Sequence, residues 1–271
     1  MNKSLKKCFL IIFLLLGTFL FAACNKDGDS ETKDGSLQKV LDAKKLILGL
    51  DENFPPMGFR DKNGELVGFD IDLAKEVTKR LGIELVLQPI NWDLKDKELN
   101  IGNIDCIWNG MTITDQRKEE MKLSDPYMIN EMVFVVNKNS GIKSDRDLKG
   151  KKVGTQGGSS TVEVLGGLDI AKDIEISYKD DNIALFDSLE KGEIDAVFID
   201  SIFAYYFISE YNKEFYVLAS SYSTEGFAIG FRKDDIALCE KIWETLMEMR
   251  KDGTLQKISV EWFDADITTV K

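Results

Sequence analysis

The stretch Ile104-Asp-Cys-Ile-Trp108, running on into Asn109-Gly-Met-Thr-Ile-Thr-Asp-Gln-Arg117, decides how the chain is read. Its first five residues are short and almost wholly apolar, which predicts a buried strand. The chain leaves that strand through Gly110 and two threonines. Thr114-Asp-Gln-Arg-Lys-Glu-Glu120 then opens like a helix, with a hydroxyl ahead of charged residues. A backbone carbonyl, a hydroxyl and a guanidinium can therefore converge at the carboxyl edge of a sheet, where open α/β folds place their ligands. Arg117 can grip a carboxylate there through two parallel charge-assisted hydrogen bonds. The plain alternative is an arginine on a solvated helix face.

The same strand entry occurs twice. Gly102-Asn-Ile-Asp-Cys-Ile-Trp108 matches Gly192-Glu-Ile-Asp-Ala-Val-Phe198 in the pattern G-x-I-D-x-(I/V)-aromatic. Each copy follows a helical pattern and each strand ends in polar residues, Asn109–Thr112 in one and Asp200-Ser201 in the other. The pattern predicts two similar α/β lobes that aim their strand ends at a shared cleft, or else a common helix–turn–strand junction used twice.

Composition narrows the chemistry. The chain has 271 residues, 44% of them hydrophobic, enough for one or two domains. It has no histidine, which excludes a Ser-His-Asp triad, a Cys-His dyad and any His-ligated metal site. Cys8, Cys24, Cys106 and Cys239 show no C-x-x-C spacing, so neither a zinc site nor a redox dithiol is expected. A net charge of −12 argues against nucleic acid as a partner.

Residues 1–23 read as a secretory signal: Lys3, Lys6 and Lys7, then the apolar Phe9–Phe21, then Ala22-Ala23 before Cys24. The apolar run is shorter than the roughly twenty residues of a membrane span. Small residues directly before a cysteine resemble a bacterial lipobox, which implies cleavage and lipidation (palmitate among the acyl chains) at Cys24. Phe21 stands where that pattern usually has Leu, Val or Ile. Residues 24–36 lack apolar side chains beyond Cys24 and predict a disordered tether.

The globular part is expected from Leu37. Leu46–Leu50 reads as a strand, and Asp51-Glu-Asn-Phe-Pro-Pro-Met-Gly-Phe59 as an irregular loop exposing Phe54, Met57 and Phe59 beside the carboxylate of Asp51. A helix is predicted over Asp70–Leu81 with Asp70 as its N-cap. Gln156-Gly-Gly-Ser-Ser-Thr161 sits ahead of a helix and reads as an anion site or an ordinary capped helix start. Asp200 closes a buried run and reads as an N-cap, a cation partner, or both. Trp243 and Trp262 fall on C-terminal helices that read as scaffold.

Taken together, FPPMGFRDKNGELVGFDIDLAKEV, GNIDCIWNGMTITDQRKEEMKLSDPY, LKGKKVGTQGGSS, KGEIDAVFID and KDGTLQKISVEWF resemble the polar amino-acid substrate-binding proteins of ABC importers, over Leu37 to Phe263. The resemblance implies a two-lobed periplasmic-binding-protein-like α/β fold with two hinge strands. One lobe would comprise residues 37–132 and 225–271, the other 133–224. It implies a monomer without cofactor or metal that hands a polar amino acid to a membrane permease. It also implies a ligand set of Asp51, Phe54, Trp92, Gly110, Met111, Thr112, Arg117, Ser159, Ser160 and Asp200. Within that set, Arg117 and Ser160 would take the α-carboxylate, while Asp200, the Gly110 carbonyl and Thr112 would take the α-ammonium. Phe54 and Trp92 would flank the side chain, and Asp51 would lie near its tip. Met57-Gly58 replaces the aromatic-Glu pair of many members.

The side chain is expected to be basic or amide-bearing, with cystine or another neutral polar amino acid as the alternative. A dehydratase-like enzyme on the same fold is the competing class. The acidic chain has no other membrane-seeking segment, so Cys24→Ser should release the protein into the medium on fractionation. Retention with membranes would mean that the signal persists as an anchor.

Overall fold

The computed structural model describes residues 34–271, so the signal, Cys24 and the tether up to residue 33 lie outside the described residues. The first half begins with α1 (Ser36–Ala43), β1 (Lys45–Leu50) and the short strands β2 (Asn53–Phe54), β3 (Gly58–Arg60) and β4 (Leu66–Val67). Then come α2 (Phe69–Leu81), β5 (Glu84–Pro89), a 3-10 turn at Trp92–Leu94, α3 (Lys95–Asn100), β6 (Cys106–Thr112), α4 (Asp115–Glu120) and β7 (Lys122–Leu123). The chain continues through β8 (Met128–Asn137), β9 (Lys152–Gln156), α5 (Ser160–Gly167), β10 (Glu175–Lys179), α6 (Asn182–Glu190), β11 (Ala196–Asp200), α7 (Ser201–Glu210) and β12 (Phe215–Val217). It ends with β13 (Thr224–Phe231), α8 (Ile236–Lys251) and α9 (Thr254–Phe263). Among the described residues no helix is long and apolar enough to cross a membrane.

Two parallel three-strand groups, β5-β1-β6 and β10-β9-β11, are joined through the antiparallel strands β8 and β13. β8 belongs to both: Met128–Glu131 pair with Phe227–Thr224 of β13, and Met132–Val136 pair with Asp200–Ala196 of β11. A chain that changes partners in mid-strand is the geometry of two lobes sharing crossing strands.

The repeated motif has a physical basis. In each lobe its isoleucine lies over a glycine of the neighbouring parallel strand. A Cβ on Gly49 would come 2.4 Å from Ile104 Cδ1, and one on Gly154 would come 2.6 Å from Ile194 Cδ1. In each lobe its aspartate accepts a backbone N–H from that same strand: Asp105 from Ile47 at 3.0 Å, and Asp195 from Lys152 at 2.9 Å. Glycine, isoleucine and aspartate thus form one lock that sets strand spacing and register twice. Asp51, Thr112, Gln156 and Asp200 then stand at or just past the carboxyl ends of β1, β6, β9 and β11.

Several expectations are corrected. The Pro-Pro segment is not irregular, because β2, β3 and β4 fold into a small antiparallel sheet, and Met57 is fully buried in the core instead of exposed. Its burial leaves Phe54 as the buried aromatic of that loop turned to the cleft. Asp34–Ser36 are not tether: Asp34 accepts the Ala237 N–H at 2.8 Å, and the Ser36 hydroxyl accepts that of Leu238 at 3.1 Å. These residues close the otherwise unpaired N-terminus of α8. α2 starts at Phe69 behind Gly68, so Asp70 is not its cap but a wholly buried side chain. The C-terminal helices are scaffold as read, and the Trp262 indole donates to Asp72 at 3.0 Å.

Gly68 sets the entry of α2. It has φ +150°, and a Cβ there would lie 2.2 Å from the Met57 carbonyl oxygen. Gly68→Ala should destabilise the protein by roughly 1–3 kcal/mol or more in chemical denaturation, since backbone cannot yield as a side-chain tip does. An unchanged midpoint would contradict this account of the helix entry.

Candidate functional site

β6 does not run straight into the cleft. It pairs Ile107 with Gly230 and Met111 with Ala228, so Trp108, Asn109 and Gly110 bulge opposite Ile229 alone. Gly110 occupies the bulge at φ +57°, where a Cβ would collide with the Phe54 ring at 2.7 Å. The bulge delivers Asn109, Gly110 and Thr112 to a small cavity. That cavity is also lined by Asp51, Phe54, Trp92, Arg117, Gln156, Ser159, Ser160 and Asp200.

Arg117 comes from α4. Thr114 caps that helix by accepting the Arg117 N–H at 3.2 Å, as its sequence indicated. The guanidinium is only 8% exposed and donates to the Thr112 carbonyl at 2.7 Å. Burial lowers its pKa, and Asp96, Asp200 and Glu225 oppose that shift from a distance. Among the described residues none of them forms an ion pair with it.

Across the cleft, Asp200 is 8% exposed at the start of α7. It holds the N-cap position, yet its carboxylate makes no capping bond. Its oxygen instead accepts from Asn130 Nδ2 at 2.6 Å. Burial, reinforced by the Glu225 charge, pushes its pKa up to about 7 despite the pull of Arg117 and Asn130.

Asp51 is 6% exposed and accepts from the Asn53 N–H at 2.9 Å and from Gln156 Nε2 at 2.7 Å. Gln156 in turn accepts from Asn182 at 2.9 Å, so a hydrogen-bonded chain crosses from one lobe to the other. Burial is the main reason that Asp51 titrates near about 6, with Asp181 and Glu52 adding to the shift. Lys95 makes a second crossing: it is 4% exposed and donates to the Gly158 carbonyl at 2.9 Å. Its ammonium lies 5.4 Å from the centroid of the Trp92 ring. Phe54 of the first lobe also packs on Phe203 of the second at 5.7 Å between centroids.

Nine of the ten residues expected at the site therefore surround one cavity. The exception is Met111, which lies on the opposite face of β6, packed where Gly230 leaves room for it and Met121. Gln156, Asn109, Asn130 and Lys95 were missed. Strand alternation held a signal for Asn130, which lies between the buried Met128 and Met132. Lys95 and Gln156 carry no such local signal, because the approach of the lobes sets their partners.

The fold and site define a two-lobed α/β protein with a small, polar-lined cavity between its lobes. Residues 46–265 match the family described as bacterial extracellular solute-binding proteins, family 3, and the chain belongs to it. Among its relatives, the L-cystine-binding protein TcyJ of Escherichia coli is 35% identical over 237 residues, covering 87% of this chain and 88% of that one. The arginine-binding extracellular protein ArtP of Bacillus subtilis is 32% identical, covering 97% of this chain and 100% of that one. Of solved structures, an ABC uptake transporter substrate-binding protein from Streptococcus pneumoniae with bound histidine is 38% identical. It superposes with a TM-score of 0.82, covering 87% of this chain and 99% of that one.

The raised pKa of Asp200 has a stability consequence. A carboxyl group whose pKa is higher folded than unfolded contributes stability below its unfolded value, near 3.8, and loses it as pH rises toward about 7. Asp200→Asn should therefore raise the melting temperature of the ligand-free protein at pH 8, by up to about 4 kcal/mol in stability, with little effect at pH 4. Equal shifts at both values would show that Asp200 is not held at that cost.

Proposed function

We propose that the cavity holds one polar α-amino acid, its carboxylate on Arg117 and Ser160 and its ammonium on Asp200, the Gly110 carbonyl and Thr112. The protein is the extracellular substrate-binding component of an amino-acid ABC importer. One observation carries the proposed arrangement: a buried guanidinium and a buried carboxylate line the same cavity from opposite lobes without pairing with each other. A zwitterion supplies the missing charge to both at once. The lobes would meet at residues 132/133 and 224/225, which is supported by the partner change within β8. Bound ligand would shift the population toward the closed form. The permease would receive the amino acid from that form, and the mature monomer would stay at the membrane through lipid on Cys24.

The side-chain end supports a basic or amide-bearing amino acid. A second, more open pocket shares Asp51 and Trp92 with the cavity, and its lining includes Glu52, Asp180 and Asp181. Arg60, the nearby cation, is turned outward onto Glu52 at 2.6 Å and the Gly64 carbonyl. An acidic side chain would meet like charge there. Thermal-shift titration with the twenty amino acids and cystine should give its largest shift with Arg, Lys, His or Gln. A largest shift with Asp or Glu would overturn this placement of Asp51.

Arg117→Ala should weaken that amino acid by about 2–5 kcal/mol, or roughly 30- to several-thousand-fold by calorimetry. A loss of only about twofold, below the range of even an ordinary hydrogen bond, would remove the carboxylate assignment.

A further inference from the structure

Asp70 is a carboxylate beside the site that the proposed ligand contacts leave unused. It is wholly buried, and its Oδ2 accepts two hydrogen bonds: from the Gly110 N–H at 2.7 Å and from the Tyr127 hydroxyl at 2.8 Å. The Gly110 N–H also lies 3.3 Å from the Tyr127 oxygen, so three groups from three elements meet at one point. The bulge in β6 makes this meeting necessary. Because Trp108, Asn109 and Gly110 face only Ile229, the ladder to β13 cannot take all their backbone groups. Gly110 spends its N–H on Asp70 instead, and its left-handed backbone faces the ligand cavity.

Tyr127 has a second attachment. It immediately precedes β8, and its own N–H donates to the Phe227 carbonyl of β13 at 2.9 Å. The cluster therefore fastens the cavity floor to the roots of both crossing strands. A carboxylate is a costly choice for a staple: burial raises the pKa of Asp70 to about 7, even though the two hydrogen bonds favour its charge. An apolar contact would hold α2 against the sheet at less cost, but it would not fix the Asn109–Gly110 peptide, from which the left-handed Gly110 turns its own carbonyl.

We infer that Asp70, supported by Tyr127, is a positioning residue for ligand capture: it holds the β6 bulge in the one conformation that presents the Gly110 carbonyl to the ligand's α-ammonium. This inference rests on the zwitterion arrangement proposed above. It assigns to Asp70 a role in affinity and not only in packing, and that role is selective for ligands that carry an α-amino group.

Paired ligands separate the two roles. Calorimetry would compare L-arginine with 5-guanidinopentanoate, and L-cystine with 3,3′-dithiodipropionate, each second molecule lacking the α-amino group. The pair used is the one whose amino acid the wild-type protein binds, and for any other amino acid it is that molecule with its own des-amino analogue. Asp70→Asn should weaken the amino acid by about ten- to a hundredfold and the des-amino analogue by no more than about twofold. Tyr127→Phe, which keeps the ring, should change the ratio in the same direction by a few-fold and decides the matter if Asp70→Asn does not fold. The Gly110 amide proton should also move upfield in either variant. Equal weakening of both ligands, or an unchanged ratio with lowered stability, would make Asp70 a purely structural staple. A wild-type protein that binds no α-amino acid, or does not distinguish an amino acid from its des-amino analogue, would instead overturn the zwitterion arrangement and the inference with it.

Discussion

A charge taken out of water needs an opposite charge or several hydrogen bonds, and this cleft buries two of opposite sign, from opposite lobes, that do not pair with each other. Arg117 is held by a backbone carbonyl, Asp200 by an asparagine amide. Neither attachment neutralises a charge. A cleft built this way is poorly satisfied when empty and well satisfied by a molecule with a carboxylate and an ammonium on one carbon. In the proposed reading that deficit is the source of affinity, and lobe closure is what removes the ligand's two charges from water.

The rest of the fold can be understood as the means of bringing those groups to one place. Parallel strands deliver residues at their carboxyl ends, and the duplicated Gly-Ile-Asp lock spaces such strands identically in both lobes. Strands β8 and β13 join the lobes without a separate linker, and β8 changes partner near Met132. Where the lobes meet, they are joined by the Asp51–Gln156 and Lys95–Gly158 bonds and by the Phe54–Phe203 and Phe59–Tyr206 packing.

The features that were legible in the sequence depended on local pattern. The G-x-I-D repeat announced two lobes because a helix–turn–strand junction leaves a compact signature. Arg117 and Asp200 were readable because each follows a buried strand closely. Met111 was readable in principle, since strand alternation puts it on the face opposite Gly110 and Thr112. Asp70 was misread because an aspartate at a helix start is usually a cap, and its burial depends on β6 and Tyr127, far along the chain. Met57 was misread because the prolines suggested a loose loop, whereas pairing between β2, β3 and β4 folds that loop back on the core. Gln156 and Lys95 belong to the meeting of two lobes, which no short window of sequence contains.

The most direct test of the central claim is a crystal structure of the protein with the small molecule that co-purifies with it, identified in parallel by mass spectrometry. The account predicts an α-amino acid with its carboxylate within hydrogen-bonding distance of the Arg117 guanidinium and its ammonium on Asp200. A ligand without an α-amino acid group, or one bound with its carboxylate turned away from Arg117, would contradict it.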